Sequence, residues 1–406
     1  MHGEATAPVV CLGCGCACDD IAVTVAGGRI TAAERACALG RAWFGDGQLP
    51  AKVRVGGTDA SLAAATARAA ELLGAGPALV YLAPGLSTEA QRAAIALADL
   101  AKAHLDSVTS ETAGPSIVAA QRRGRATATL GEIRHRADLV VFWGTDPAER
   151  YPRYRERYTP AGVPVIAVDV GPARGPADAA DRFAFPADLE AAALGTMRAA
   201  LMGRTVADPR GPLAPAAVLA ERLTQAHYVV IVHDAEPAEQ ADPQRSEGLI
   251  GLAQALNIPT RCALSTLRGG GNRSGADAAM TWQTGYPFAV NFALGVPRYR
   301  ADEPASEVVA QMRAVLIAGE WRGLPPAFVQ GLAGRVVVAV GPRASEVASA
   351  EVAVDTGMAG IHEAGTAYRL DDVPLPLTPA LSHPQAAAAV LDAIAGQIAR
   401  RSAVLR

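Results

Sequence analysis

The sequence lacks any apolar run long enough to cross a membrane. Its hydrophobic stretches are interrupted by Gly, Pro or Arg before they reach the roughly 20 residues that a spanning helix needs. An excess of positive charge is also absent: the formal net charge is −3 at pH 7, and Lys52 and Lys102 are the only lysines. We therefore expect a protein that neither spans a membrane nor binds nucleic acid.

The common phosphate-binding and hydrolase motifs are absent as well. Gly269-Gly270-Gly271 carries no lysine and follows no recognisable helix-opening strand, which excludes a P-loop. No Gly-x-Ser-x-Gly nucleophile elbow is present. The N-terminus does not resemble a secretory signal, so we expect a soluble cytoplasmic bacterial protein in which disulfides are disfavoured.

Cysteines are concentrated at the start of the chain, where five of the six lie within the first 37 residues. Cys11, Cys14 and Cys18 are spaced by two and three residues, and Cys37 follows a segment, residues 21–34, that has the pattern of a β-hairpin. Four thiolates placed in this way can form a tetrahedral sulfur set for an iron–sulfur cluster or a zinc ion. Cys16 is a spare thiol within the loop, which counts against zinc.

The rest of the chain alternates between short apolar runs and helical patterns. A length of 406 residues suggests two or three domains. The alternation predicts an α/β fold with parallel sheets covered by helices on both faces, and two sheets are more plausible than one of eight or more strands. Strands are expected at residues 78–83, 137–143, 164–169, 227–233, 314–319, 335–341 and 352–355, and helices begin near Ser61 and Ser87 and cover residues 189–202, 244–256 and 306–313.

Several stretches together resemble the B subunit of formylmethanofuran dehydrogenase, a branch of the molybdopterin oxidoreductases. The similarity extends over nearly the whole chain, and its most specific parts are Trp-Gln-Thr-Gly-Tyr-Pro-Phe from Trp282 and Gly-Thr-Ala-Tyr-Arg from Gly365. The other matching stretches are the cysteine loop with Asp19-Asp20, residues 129–154, Leu267-Arg268-Gly269 and residues 362–377.

This resemblance implies a domain organisation and a set of cofactors. Working members of the family carry a four-iron four-sulfur cluster beside a tungsten or molybdenum bis-pterin, and they interconvert carbon dioxide and formate. The implied fold is a small cluster module followed by two α/β domains, one inserted in the other. We place the module at residues 1–50, the discontinuous domain at 51–110 and 223–406, and the inserted domain at 111–222.

The sequence departs from the family where the redox metal is bound. In the dehydrogenases, a cysteine or selenocysteine ligand and a histidine directly precede Gly-Pro-Ser, whereas this chain has Thr112 and Ala113 there. A threonine hydroxyl is a poor replacement for a thiolate on a soft metal, and the lost imidazole removes a proton shuttle. We therefore expect no tungsten or molybdenum pterin; the alternative is a misplaced ligand, for which Cys262 is the only cysteine left outside the N-terminal region.

A B-type chain without this metal resembles the one in the bacterial formyltransferase/hydrolase complex. The resemblance implies a non-redox structural subunit in one-carbon (formaldehyde oxidation) metabolism. Its partners would be an amidohydrolase-type A subunit, a C subunit and a formyltransferase-type D subunit, which act on a methanofuran-type carrier and release formate. Cys11, Cys14, Cys18 and Cys37 would then hold a vestigial cluster, a zinc ion or no metal.

Two other functions stay open: a working molybdenum or tungsten formylmethanofuran dehydrogenase subunit, and a free-standing small-molecule binding protein. Arg268 and His362 are the polar residues that we expect near the ancestral cavity, and a structural ion pair is the alternative role for Arg268. The Arg- and Tyr-rich residues 151–158 are expected to contact partner subunits. Trp143 and Trp282 are expected to serve core or loop packing rather than to form platforms for a ligand.

Overall fold

The computed structural model describes residues 5–204, 211–236 and 242–404. Its strands are β1 (Ala5–Val9), β2 (Ile21–Ala26), β3 (Arg29–Glu34), β4 (Val53–Val55), β5 (Thr58–Asp59), β6 (Ala78–Leu82), β7 (His104–Ser107), β8 (Leu139–Trp143), β9 (Val165–Val170), β10 (Asp181–Phe185), β11 (Tyr228–Asp234), β12 (Arg261–Leu267), β13 (Val290–Asn291), β14 (Arg298–Tyr299), β15 (Ala314–Ala318), β16 (Val336–Gly341), β17 (Ala350–Asp355), β18 (Gly365–Tyr368) and β19 (Pro374–Leu377). Its α-helices are α1 (Ala38–Phe44), α2 (Leu62–Leu73), α3 (Thr88–Leu100), α4 (Gly114–Arg123), α5 (Leu130–Arg136), α6 (Tyr154–Tyr158), α7 (Glu190–Leu201), α8 (Ala214–Thr224), α9 (Pro243–Leu256), α10 (Arg273–Thr284), α11 (Ala305–Val308), α12 (Pro326–Gly331) and α13 (Ala387–Val404). The α/β class expected from the sequence is confirmed.

The chain divides into two compact units, residues 1–111 with 270–406, and Thr112–Gly269. The sequence placed the return to the first domain near Leu223, and this boundary is wrong. Strand β11, which follows that point, pairs in parallel with β8, and β12 pairs with β11 in turn. Residues 225–269 therefore belong to the second unit, because their strands extend its sheet.

The first unit contains a nine-stranded sheet with the order β14-β13-β7-β6-β15-β16-β17-β4-β5. Its five central strands, from β7 to β17, are parallel, and apolar runs predicted all of them except β7. The four outer strands pair antiparallel, which the sequence did not indicate because they are only two or three residues long. A buried core cluster that includes Tyr81, Ile317 and Phe328 packs against this sheet.

The N-terminal residues of the first unit form a three-stranded antiparallel sheet with the order β1-β2-β3. The predicted hairpin is present: β2 and β3 are joined through Gly27 and Gly28, both of which have positive φ. The cysteine loop lies between β1 and β2. Its ends are tied by a 2.9 Å hydrogen bond from the backbone N–H of Cys11 to the carbonyl oxygen of Cys18.

The second unit has a five-stranded sheet with the order β10-β9-β8-β11-β12, in which all neighbours are parallel. Strand β8 is entirely buried, as expected for a parallel strand with helices on both faces. Its core cluster contains residues from β8, β9, β11 and β12 and from helices α7, α8 and α9. Cys262 lies in this core on β12, as the sequence predicted for a buried strand.

Helix starts follow the capping residues that the sequence contains. The Ser61 and Ser87 hydroxyls accept hydrogen bonds from the backbone N–H groups of Ala64 and Ala90, each at 3.2 Å. The helix expected over residues 306–313 is shorter than predicted. It comprises only α11 and a 3-10 turn from Val309 to Gln311, because the chain enters β15 at Ala314.

The three-glycine run does connect a strand to a helix, β12 to α10, contrary to the sequence interpretation. A Cβ atom at Gly270 would lie 2.2 Å from the Leu12 carbonyl oxygen and 2.7 Å from the Cys14 nitrogen. Gly271 has a φ of +72° and donates its N–H to the same Leu12 oxygen at 2.8 Å. The run therefore provides close backbone packing against the cysteine loop.

We expect Gly270→Ala to lower the free energy of unfolding by about 1–3 kcal/mol, because the new methyl group forces this backbone contact apart. Urea unfolding of the purified protein measures the change. Gly195→Ala is the matched control, since Gly195 is exposed in α7 and its Cβ would meet no atom within 4 Å. It should leave stability unchanged or raise it by up to about 1 kcal/mol. Equal losses in both variants would contradict the packing explanation.

Glu363 holds the start of the C-terminal helix of the first unit. Its Oε1 atom accepts a 2.8 Å hydrogen bond from the backbone N–H of Ala387, the first residue of α13. Burial raises the pKa of the Glu363 carboxyl to about 7, although this hydrogen bond acts in the opposite direction. The folded protein thus binds a proton here at pH values where the unfolded chain has released it.

The free energy of unfolding should therefore fall as the pH rises from about 4.5 to about 7. Between these pH values the folded chain keeps a proton that the unfolded chain has released. Glu363→Gln keeps the acceptor oxygen and removes the charge. We expect its advantage over wild type to be small at pH 5 and larger at pH 8, by at most about 1.4 kcal/mol for each pH unit that separates the folded and unfolded pKa values. Denaturant unfolding at both pH values tests this, with exposed Glu34→Gln as control. A variant that gains nothing at pH 8 would refute the assignment.

Candidate functional site

The predicted cysteine ligands lie near one another in the first unit. Cys11 and Cys18 are buried, and Cys14 and Cys37 are half-buried. The absence of a side chain at Gly40 leaves room for two of the sulfurs, because a Cβ there would be 3.2 Å from the Cys11 Sγ and 3.9 Å from the Cys37 Sγ. The loop and the start of α1 therefore bring these two thiols to the same glycine.

One of these thiols caps a helix, and the pKa values of two others are shifted. The Cys37 Sγ caps α1 by accepting a hydrogen bond from the Gly40 N–H at 3.4 Å. Burial raises the pKa of the Cys11 thiol to about 12, and the neighbouring Cys14, Cys18 and Cys37 add to this effect. The pKa of Cys14 is lowered instead, chiefly because its sulfur accepts a hydrogen bond from the Cys16 thiol.

Thiolates are suitable ligands for a zinc ion or an iron–sulfur cluster. The side chains of this loop, however, are not arranged as either group requires. Across residues 5–204, 211–236 and 242–404, no group of three or more His, Cys, Asp or Glu side chains is placed as a bound metal ion requires. The ligand set Cys11, Cys14, Cys18 and Cys37 therefore stays a prediction.

Thr112 and Ala113 lie where the second unit begins, immediately before α4. Ala113 is fully buried and occupies the N-cap position of α4, with Pro115 in the first turn. Thr112 is half-buried. Neither position supplies a thiolate, selenolate or imidazole, so the donors that a soft redox metal needs are missing from this turn.

Arg268 is buried at the end of β12 and lies against a carboxylate of its own unit. Its Nε atom is 3.4 Å from the Glu236 Oε1, which also accepts the Gly269 N–H at 2.8 Å. The other oxygen of Glu236 lies 3.5 Å from Arg150. Arg268 therefore forms a structural ion pair, which was the alternative role expected for it from the sequence.

His362 lies in the first unit, where both of its ring nitrogens contact the backbone. Nε2 is 2.8 Å from the Gly47 carbonyl oxygen, to which it can only donate, and Nδ1 accepts the Met358 N–H at 3.3 Å. Burial lowers the pKa of His362. The ring lines a pocket together with Trp43 and Arg343 and braces the backbone at Gly47. Its place near an ancestral cavity stays a prediction.

A buried ion pair in the second unit was not found from the sequence. Glu190 accepts hydrogen bonds from the Trp143 Nε1 at 2.7 Å and from the Arg245 Nε at 2.9 Å. Arg245 also donates to the Trp143 carbonyl oxygen at 3.2 Å, and its guanidinium lies 3.3 Å from where a Cβ at Gly144 would be. This pair lies at the carboxyl end of β8, next to β11. In parallel sheets with this strand order, ligands commonly bind at that point.

The aromatic residues differ from expectation in one place. Trp143 is buried in the core, whereas Trp282 is 58% exposed on α10 and its ring lies edge-on against that of Tyr368. Tyr151, Tyr154 and Tyr158 are buried in the second unit, so their rings belong to its core. The contact with partner subunits that is expected of residues 151–158 stays a prediction, but it does not involve these rings. The signal that we missed for their burial is their spacing by three and four residues.

Among the described residues, no helix is both long enough and apolar enough to span a bilayer. No family model matches the chain. The B subunit of tungsten-containing formylmethanofuran dehydrogenase 2 from Methanocaldococcus jannaschii is 28% identical, over 93% of this chain and 94% of that protein. The Fhc B subunit of the formyltransferase/hydrolase complex from Methylorubrum extorquens is 29% identical, over 75% of this chain and 85% of that protein.

A solved structure agrees with these sequence comparisons. A chain in the crystal structure of the formyltransferase/hydrolase complex FhcABCD from Methylorubrum extorquens, in complex with methylofuran, matches with a TM-score of 0.73 and 25% identity. The match covers 86% of this chain and 99% of that chain. The resemblance carried by the motifs is confirmed: in sequence and in fold, this chain is similar to the B subunits of formylmethanofuran dehydrogenase and of the formyltransferase/hydrolase complex.

Proposed function

We propose that this chain is a non-redox, structural B-type subunit of a formyltransferase/hydrolase complex that releases formate from a formylated methanofuran-type carrier. Its partners would be the A, C and D subunits of such a complex. The observation that carries the proposal is the pair Thr112–Ala113 at the start of α4, where the dehydrogenases have a metal ligand and a histidine. Similarity to the relatives from Methylorubrum extorquens supports it.

The absence of a tungsten or molybdenum pterin is part of this proposal. A redox metal of this type needs a soft ligand, and a threonine hydroxyl does not ionise near neutral pH. The Arg245–Glu190 pair at the carboxyl end of β8 supports the same conclusion, because it occupies space beside the ligand edge of the sheet. We also propose that residues 1–50 derive from a cluster module and that the second unit is an insertion in the first.

A working dehydrogenase subunit is the second candidate. It is favoured by the similarity to the tungsten-containing dehydrogenase relative, which covers 93% of this chain against 75% for the Fhc relative. Purification from the native host, followed by elemental analysis and mass spectrometry of the co-purifying proteins, separates the two candidates. One tungsten or molybdenum per chain together with viologen-linked formate oxidation would establish the dehydrogenase.

Thr112→Cys should not produce formate oxidation in the purified complex, because the pterin and the adjacent histidine would still be missing. The assay is viologen-linked formate oxidation under anaerobic conditions, with wild type and Thr112→Ser as controls. All three proteins are expected to give background rates only. Activity that appears in the cysteine variant alone would overturn the proposal, since it would mean that the redox site is otherwise complete.

An exposed tryptophan marks a candidate contact with the partner subunits. Trp282 on α10 is 58% exposed, and its ring lies 5.6 Å from that of Tyr368 in an edge-on arrangement. Aromatic residues that are exposed in an isolated chain are enriched at protein–protein interfaces and often dominate their binding energy. A subunit that functions only in an assembly is expected to carry such a residue on its surface.

We expect Trp282→Ser to reduce co-purification of the partner subunits by at least tenfold while leaving the thermal unfolding of the isolated chain unchanged, because the ring has few internal contacts to lose. Ile258→Ser is the matched control, since Ile258 is 80% exposed but lies in the second unit. The readout is the ratio of subunits after affinity purification from the host. Normal assembly of the Trp282 variant would exclude this residue from the interface.

A further inference from the structure

Two histidines of the first unit hold the segment that follows its cysteine-containing residues. The His362 Nε2 atom lies 2.8 Å from the Gly47 carbonyl oxygen, and the His383 Nε2 atom lies 2.9 Å from the Pro50 carbonyl oxygen. The two rings lie edge-on, with 5.9 Å between their centroids. Residues 47–50 are therefore held at two carbonyl groups by one pair of imidazole rings.

The partners of His362 determine which of its ring nitrogens carries the proton. A carbonyl oxygen can only accept a hydrogen bond, so Nε2 donates to Gly47. Nδ1 lies 3.3 Å from the backbone nitrogen of Met358, whose N–H can only donate, so Nδ1 accepts. The neutral ring satisfies both contacts. A second proton, on Nδ1, would set two donors against each other and break the contact with Met358.

His383 can take up a proton without losing its partners. Its Nδ1 atom lies 3.3 Å from the Gln385 backbone nitrogen and 3.0 Å from the Gln385 carbonyl oxygen. A neutral ring accepts the Gln385 N–H there, and a protonated ring donates to the carbonyl oxygen. The contact between Nε2 and the Pro50 oxygen is kept in both forms. The two rings therefore respond differently to acid, and His362 is the sensitive one.

The surroundings of His362 also disfavour a positive charge on its ring. Burial lowers the pKa of His362, and the neighbouring His383 and Arg343 lower it further, although the bond to Gly47 acts in the opposite direction. A locally opened chain thus takes up a proton at pH values where the closed arrangement does not. Because protons bind preferentially to the open form, acid favours opening.

Three carboxylates lie on the pocket that His362 lines or beside its lining residues, and each has another partner: Asp46 pairs with Arg29, Glu320 with Arg343, and Glu363 with the first N–H of α13. Within the described part of the chain, none of them forms an ion pair with His362. A protonated ring would therefore gain no compensating contact from these groups.

We propose that His362 is a proton-sensitive latch, which holds residues 47–50 in its neutral form and releases them when its ring is protonated. His383 reinforces the latch through Pro50 while it is neutral and adds repulsion between the rings once it is charged. Below the ordinary histidine pKa of about 6.5, the open form should gain up to about tenfold for each pH unit. This inference does not depend on the proposed function, because it uses only contacts within the first unit.

The test is hydrogen–deuterium exchange of the full-length protein at pH 7.5 and pH 5.5, with exchange times scaled to the intrinsic chemical rate at each pH. The reporters are the amides within residues 47–52 and the Met358 amide, which donates to the His362 ring itself. In wild type, opening at both places should rise by up to about tenfold at pH 5.5.

His362→Gln should show no such change with pH, because glutamine offers a donor and an acceptor but takes up no proton. His104→Gln is the matched control. His104 also lies in the first unit, and burial lowers its pKa as well, but its Nε2 atom contacts Asn291 and not residues 47–50. This variant should open with acid as wild type does.

Two results would overturn the inference: equal opening of wild type at both pH values, and an acid-induced rise in His362→Gln as large as that in wild type. Glu363 cannot produce the expected rise, because its raised pKa makes acid favour the closed form. If the glutamine variant is open at both pH values, the wild-type profile decides alone. Opening must then increase as the pH falls below about 6.5, and a flat or opposite profile refutes the latch.

Discussion

The backbone of Gly270 and Gly271 lies so close to two other segments that neither glycine has room for a side chain. A Cβ at Gly271 would be 2.4 Å from the Pro84 Cβ, and the Gly271 oxygen accepts the Gly85 N–H. Through these contacts one short run joins the cysteine loop, the turn between β6 and α3 and the start of α10. Most of the atoms that face the two glycines are backbone atoms, so a larger residue at either position would have to move the backbone of the first unit.

Apolar runs predicted most of the parallel strands, since a strand covered on both faces is hydrophobic along its whole length. Strands β7 and β10 were missed, because each mixes apolar residues with polar or charged ones. The outer strands β13 and β14 were not predicted, because two residues leave no periodic signal. The boundary near Leu223 failed for a different reason. Strand β11 is as apolar as β15, and only its pairing with β8, about ninety residues earlier in the chain, assigns it to the second unit.

The candidate site was predictable in part. The motif resemblance selected Thr112, Arg268 and His362 as candidates, and the spacing of the cysteines indicated that their thiols come together. The function of these residues stays a prediction. The partners of these residues could not be predicted, because Glu236 and Gly47 lie 32 and 315 positions away from the residues they contact. The Glu190–Arg245 pair is a similar case: each residue resembles an ordinary surface charge in the sequence, and only the fold buries them together.

Cys37 illustrates how such a chain can change its chemistry without losing its shape. Its sulfur accepts the Gly40 N–H and thereby supplies the first hydrogen bond of α1. Thiolates that bind metals commonly accept hydrogen bonds from backbone N–H groups as well. The same contact is therefore compatible with a helix cap and with metal binding. The cap holds the Cys37 thiol in place by itself, so the position of this cysteine does not depend on a bound metal.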